Sequence, residues 1–141
     1  MCRIGVSSLA MNDSRSDLPA KQVLLLILLP MLGTVVALRL YLHLVHVRHV
    51  YPGGYLVHHL FFGVAMVIPA AFGLAFETRH RALACVALGA GAGLVLDEVV
   101  YLVATQASDA DYVSRTSWLG SIVMVALAAV LLLGLYLRHR K

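Results

Sequence analysis

Gly89-Ala90-Gly91-Ala92-Gly93-Leu94-Val95-Leu96-Asp97-Glu98 is the stretch on which the reading of this chain turns. It belongs to an apolar run over residues 82–106 that carries charge only at Asp97 and Glu98. A helix that is apolar all round is either the core of a large protein or a membrane span. The chain is too short for the first. It has 141 residues, 61% hydrophobic and 13% charged, with a mean hydropathy of +0.88. Soluble domains average about half apolar and about a quarter charged. A chain this size cannot bury such an excess in one core. A soluble enzyme, a disordered chain and a secreted disulfide scaffold all fit poorly, and the composition points to an integral membrane protein.

Three further uncharged stretches flank the first. They cover residues 22–38 (extending past Arg39 to about 43), 55–76 and 117–137. Each is long enough to cross about 30 Å of hydrocarbon at roughly 1.5 Å per residue. The short connections, one punctuated by Tyr51-Pro52-Gly53-Gly54, predict an all-α, antiparallel up-down bundle of four transmembrane helices. Residues 1–21 read as a polar tail, 22–137 as one membrane domain and 138–141 as a basic end. A polar leader ahead of the first apolar run is not a signal-peptide layout.

Basic residues give the expected orientation. Arg3, Arg15, Lys21, Arg79, Arg81, Arg138, Arg140 and Lys141 fall on one side, and Arg39, Arg48 and Arg115 on the other. Lys and Arg are retained on the cytoplasmic side, so both termini are expected there, in a multi-pass protein of the cell membrane. The net charge of +4 sits at the ends of apolar runs, which argues against nucleic acid as a partner. Cys2 lies in the tail and Cys85 in an apolar run, with neither disulfide nor metal-motif spacing.

With that topology, polar groups converge in the outer half of the bundle. His43, His46, His49, His58 and His59 gather there with Asp97, Glu98, Asp109 and Asp111. Arg39, His43 and His46 follow i, i+4, i+7 and share one helix face. The row through His59 carries Gly63, Met66, Ala70 and Gly73, whereas the row through His58 carries Phe62, Pro69, Phe72 and Phe76. Small residues line helix contacts in membranes, so His59 is the better inward candidate. Gly89, Gly93, Asp97 and Tyr101 form an i+4 row that would press Asp97 against a neighbouring helix. Glu98 points about 100° away, nearer Gly91 and Leu94. Asp97 is the preferred interior acid, with Glu98 open. In the fourth span Ser117, Ser121, Met124 and Ala128 are the least bulky stripe, and Trp118 reads as an interfacial anchor.

Two segments resemble a known group. His58-His59-Leu60-Phe61-Phe62-Gly63 is similar to the His-His-hydrophobic-x-x-Gly segment of small bacterial integral membrane proteins common in actinobacteria. The run from Gly91 to Glu98 is similar to their Gly-x-Gly-x-x-Leu-Asp-Glu segment. Asp109-Ala110-Asp111-Tyr112-Val113 stands where they have an acidic segment ending in Trp, and Val99 where they have Phe. The likeness covers about residues 40–115. It implies a four-helix membrane protein, adds weight to His58, His59, Asp97, Glu98 and Asp111, and supplies no activity.

An acid deep in a span costs about 2.5–3.5 kcal/mol and calls for a partner, a proton or a metal. His and carboxylate together suit Zn, Fe or Mn in helical bundles. The expected metal ligands are His43, His46, His58, His59 and Asp97, with Glu98 as a catalytic proton shuttle. Asp109, Asp111, Tyr101 and Arg39 are additional candidates, and the substrate would be a lipid or another apolar molecule. Other readings stay open. His43, His46 and His49 also suit an interface, Arg39 also suits an ion pair with Asp97 or Glu98, and Asp109 and Asp111 also suit a solvated turn. Two facing histidines would suit haem b. A non-catalytic subunit, as a homo-oligomer or within a larger membrane complex, would use the cluster for docking.

Overall fold

A computed structural model describes residues 18–44, 58–76, 79–106 and 108–140, with the side chains of residues 109 and 110 left aside. His46, His49, Tyr51 and Tyr55 lie outside these residues. Among the described residues the chain is all-α: α1 (Ala20–Leu44), α2 (His59–Ala75), α3 (Arg81–Ala104), the single turn α4 (Asp109–Tyr112) and α5 (Arg115–His139). Three of them, α1, α3 and α5, are long and apolar enough to cross a membrane. The fourth, α2, has 17 residues, about 26 Å at 1.5 Å per residue, which is at the short end for a span.

The described residues bury charged and polar side chains beside apolar ones and leave large apolar side chains outside. Arg39, Asp97, Glu98, Ser117 and Ser121 are all buried, while Leu29, Val36, Phe62, Phe72, Val130 and Leu131 stand on the surface. Water would expel that surface and hydrate those charges, whereas lipid tolerates the first and forces the second inward.

Most of the packing centres on α3, which contacts α1, α2 and α5. Glycines set the distances. A Cβ on Gly89 would overlap the carbonyl of Ile27, and one on Gly93 would stand 2.6 Å from the Met31 carbonyl oxygen. One face of α3 therefore lies backbone to backbone along α1. Another face meets α2, where Gly63 and Gly91 oppose each other: a Cβ on Gly63 would come within 2.7 Å of the Gly91 carbonyl oxygen. On α5, Gly120 leaves room for the Val100 side chain. Helices in lipid gain little from excluding water, so close van der Waals contact at small residues has to hold them.

The contacts also give direction. Ile27 meets Gly89, Met31 meets Gly93 and Arg39 meets Asp97, so α1 and α3 run the same way. Gly63 meets Gly91 while Leu60 meets Glu98, so α2 runs against α3. Gly120 meets Val100 and Ser121 meets Asp97, so α5 also runs against it.

A methyl group tests this packing. Gly93→Ala should destabilise the fold by about 1–3 kcal/mol, as overpacking does in cores. Gly33→Ala, on α1 with nothing within 4 Å of the added carbon, should not. Unfolding of the two variants in mixed detergent micelles measures the difference.

Candidate functional site: a buried ion-pair and histidine cluster

Asp97 is fully buried, and three side chains bring it hydrogen bonds. From α1, Arg39 Nε donates to Oδ1 at 2.6 Å. Ser121 Oγ on α5 donates to the same oxygen at 2.8 Å. The Tyr112 hydroxyl, from α4, donates to Oδ2. The glycine row explains the first bond. Gly89 and Gly93 bring the two backbones together, and Asp97 follows one turn later on the same face.

Arg39 is itself bonded through all three of its nitrogens. One terminal nitrogen donates to the Tyr112 carbonyl at 3.0 Å. The other reaches the Asp97 carbonyl at 3.2 Å and, on Ser117, the carbonyl at 3.3 Å and the hydroxyl at 3.0 Å. Its guanidinium carbon lies 4.4 Å from the Tyr112 ring centre and 5.1 Å from that of Trp118, so π faces add to its partners. Arg39 and Asp97 together form a closed pair.

Glu98, almost fully buried, faces α2 instead. The Leu60 backbone N–H donates to Oε2 at 2.6 Å. That N–H is one of the unpaired donors of the first turn of α2, whose N-cap His58 makes no side-chain cap bond. Glu98 thus caps α2 from across the interface, at the helix end that favours negative charge. His58 Nδ1 lies 2.5 Å from Oε1, and His59 Nδ1 lies 3.2 Å from Oε2.

Both ring nitrogens of His59 face carboxylates. A carboxylate only accepts, so the tautomer with its proton on the Nδ1 facing Glu98 leaves a lone pair on Nε2. Nε2 is buried without a hydrogen-bond partner. Asp97 Oδ2 is 3.5 Å from it, near enough for attraction to a charged ring but long for a hydrogen bond.

Arg39, His58, His59, Asp97 and Glu98 are therefore brought together. The backbone of His58 is extended, ahead of the first helical residue, so the periodicity that placed its row outward does not govern it. Tyr101 is buried beside the cluster, its ring centre 6.3 Å from His58 and 5.2 Å from Tyr112, and its hydroxyl donates to the Ser108 carbonyl. His43 is exposed on α1 and lines a groove towards α5, away from His59. His46 lies outside the described residues, as does the Asp109 side chain.

Asp111 closes a capping box with Ser108 at the start of α4. The Ser108 hydroxyl and backbone N–H hold its carboxyl below the usual range. The box fixes the turn that carries Tyr112 onto Asp97. Burial pushes the Tyr112 phenol well above its ordinary value, and the Asp97 carboxylate pushes it further, so the hydroxyl stays a donor. In the sequence Tyr112 stands only within the 109–113 segment, and Ser117 and Ser121 only in a stripe of small residues, because their bonds depend on how α4 and α5 meet α3. Among the described residues no group of three or more His, Cys, Asp or Glu side chains forms a metal-binding set.

Removing one charge should cost more than removing both. Arg39→Met leaves Asp97 uncompensated and should destabilise by about 3–5 kcal/mol, whereas adding Asp97→Leu should recover much of the loss. Tyr112→Phe removes one bond to a charged group and should cost about 1.5–3 kcal/mol. Unfolding of the four proteins in mixed micelles checks both statements. Compared with known proteins, the chain matches no family model, no curated protein and no solved structure.

Proposed function

We propose that this chain is a four-span integral membrane protein of the cell membrane, with both termini cytoplasmic, that binds a divalent transition metal in the outer half of its bundle. The alternating directions of α1, α2, α3 and α5 and the distribution of basic residues support the topology.

The observation that carries the metal reading is the His59 ring. Its Nδ1 faces the Glu98 carboxylate while Nε2, buried and unpartnered, stands 3.5 Å from Asp97 Oδ2. A carboxylate on one ring nitrogen that frees the other for the ion is the usual support of a metal-ligating histidine. Two ligands about 2.1 Å from a tetrahedral ion stand roughly 3.4 Å apart, close to the separation present here. His59 Nε2 and Asp97 Oδ2 are the entry pair, Glu98 orients His59, and Tyr112 is the adjacent oxygen. Zn, Fe and Mn all accept such donors. A metal there would polarise a substrate oxygen or activate water, on a lipid or another apolar molecule. The haem alternative needs two facing axial histidines. Among the described residues His58 and His59 are adjacent at the start of α2, and His43 faces the α1–α5 groove.

A second reading is favoured by the bonds that tie Arg39 to α3, α4 and α5. The cluster would then be a clasp that holds the helices of a small non-catalytic subunit, whose apolar faces meet other chains of a complex.

Metal analysis of the purified protein separates the two. The metal reading expects near-stoichiometric metal in the wild type and loss of it in His59→Ala with the helical fold retained. Glu98→Gln should weaken affinity by about 10–100-fold, the usual effect of removing such a supporting group. Equal, substoichiometric metal in all three proteins would overturn it and leave the clasp.

A further inference from the structure

A groove of about 710 Å³ runs between α1 and α5, with Arg39 and not Asp97 in its lining. Leu32 and Val36 from α1 and Val125 and Ala129 from α5 make its walls apolar over most of their length. Arg39 and His43 lie at one end with Trp118, and among the described residues no acidic side chain lines it. From Leu32 to His43 the α1 wall rises roughly 16 Å, close to half of a hydrocarbon layer about 30 Å thick. The groove thus has the depth of one leaflet, with its basic end where headgroups lie.

Volume selects among occupants. Sites for small molecules span roughly 300–1,000 Å³, and this groove falls within that range.

We propose that this groove is a lipid-binding site for an anionic membrane phospholipid. One acyl chain lies along the groove past Val36 and Val125 towards Leu32 and Ala129. The phosphate sits at the basic end, where the His43 ring and the Trp118 indole supply N–H donors. Arg39 shields the phosphate from Asp97 and keeps that end free of negative charge. Neither His59 nor Asp97 lines the groove, so the site stands or falls apart from the metal reading.

Trp118 is the only tryptophan, is 44% exposed, and stands at the polar end, so its fluorescence reports occupancy. The full chain in mild detergent is titrated with phosphatidylglycerol brominated on its acyl chains, which quenches on contact. Saturable quenching is expected, with several-fold weaker binding of phosphatidylcholine carrying the same chains. Ala129→Phe fills the groove and should weaken binding several-fold. His43→Glu, at an exposed position, should weaken phosphatidylglycerol more than phosphatidylcholine, whose choline offsets the added carboxylate. Leu127→Phe, on an exposed part of α5 outside the groove, should change neither. Quenching that rises without saturation, that is equal for the two lipids, or that is indifferent to both Ala129→Phe and His43→Glu would overturn the proposal. So would tighter binding of a brominated free fatty acid, or a stable dimer that shields Trp118 from every lipid.

Discussion

The bond between Arg39 and Asp97 is the constraint to which the rest of the structure answers. Each charge alone would cost several kcal/mol at that depth, and breaking such a buried pair strands the survivor. The pair forms only because α1 and α3 lie close, and they lie close because Gly89 and Gly93 carry no side chain. Arg39 then recruits α5 through Ser117, and Asp97 recruits it through Ser121. The connection between α3 and α5 is drawn in as well, because Tyr112 donates to Asp97 with its hydroxyl and accepts from Arg39 with its carbonyl. One ion pair thus fixes three helices and a turn.

Glu98 does for α2 what Asp97 does for the others, by a different route. It holds α2 through the helix terminus and the two histidines there. Adjacent residues on a helix point about 100° apart, so two consecutive acids address two interfaces at once. The glycines repeat the logic one step out of phase. Gly89 and Gly93 serve the α1 interface below Asp97, and Gly63 and Gly91 serve the α2 interface below Glu98.

Much of this was legible in the sequence, because its cause was periodic. Apolar length announced the helices, and the i+4 row of Gly89, Gly93 and Asp97 announced which face of α3 would meet a neighbour. The split between Asp97 and Glu98 followed from the helical repeat. Aperiodic features were harder to read. His58 precedes α2 with extended backbone, so a helical wheel assigns it a direction it does not have. Tyr112 reaches Asp97 because a capping box of Ser108 and Asp111 turns the chain at one place, and a single turn leaves no repeat to detect. The pairing of α3 with three partners was hidden for a third reason. Short loops constrain neighbours in sequence, but they do not say which helix occupies the middle.

The cluster therefore has a closed half and an open half. Around Asp97 every donor finds an acceptor: Arg39, Ser121 and Tyr112 are all committed. Around Glu98 the carboxylate is satisfied, yet one atom beyond it is not. His59 joins the halves, with Nδ1 towards Glu98 and Nε2 towards Asp97, and only Nε2 lacks a hydrogen-bond partner. A structural clasp gains nothing from a buried lone pair without a donor, since leaving such a group unmade costs about 1–3 kcal/mol. The proposed metal site would use one. In that reading the cost is borne at the atom best supported to use it, between a carboxylate that orients the ring and another that would share the ion.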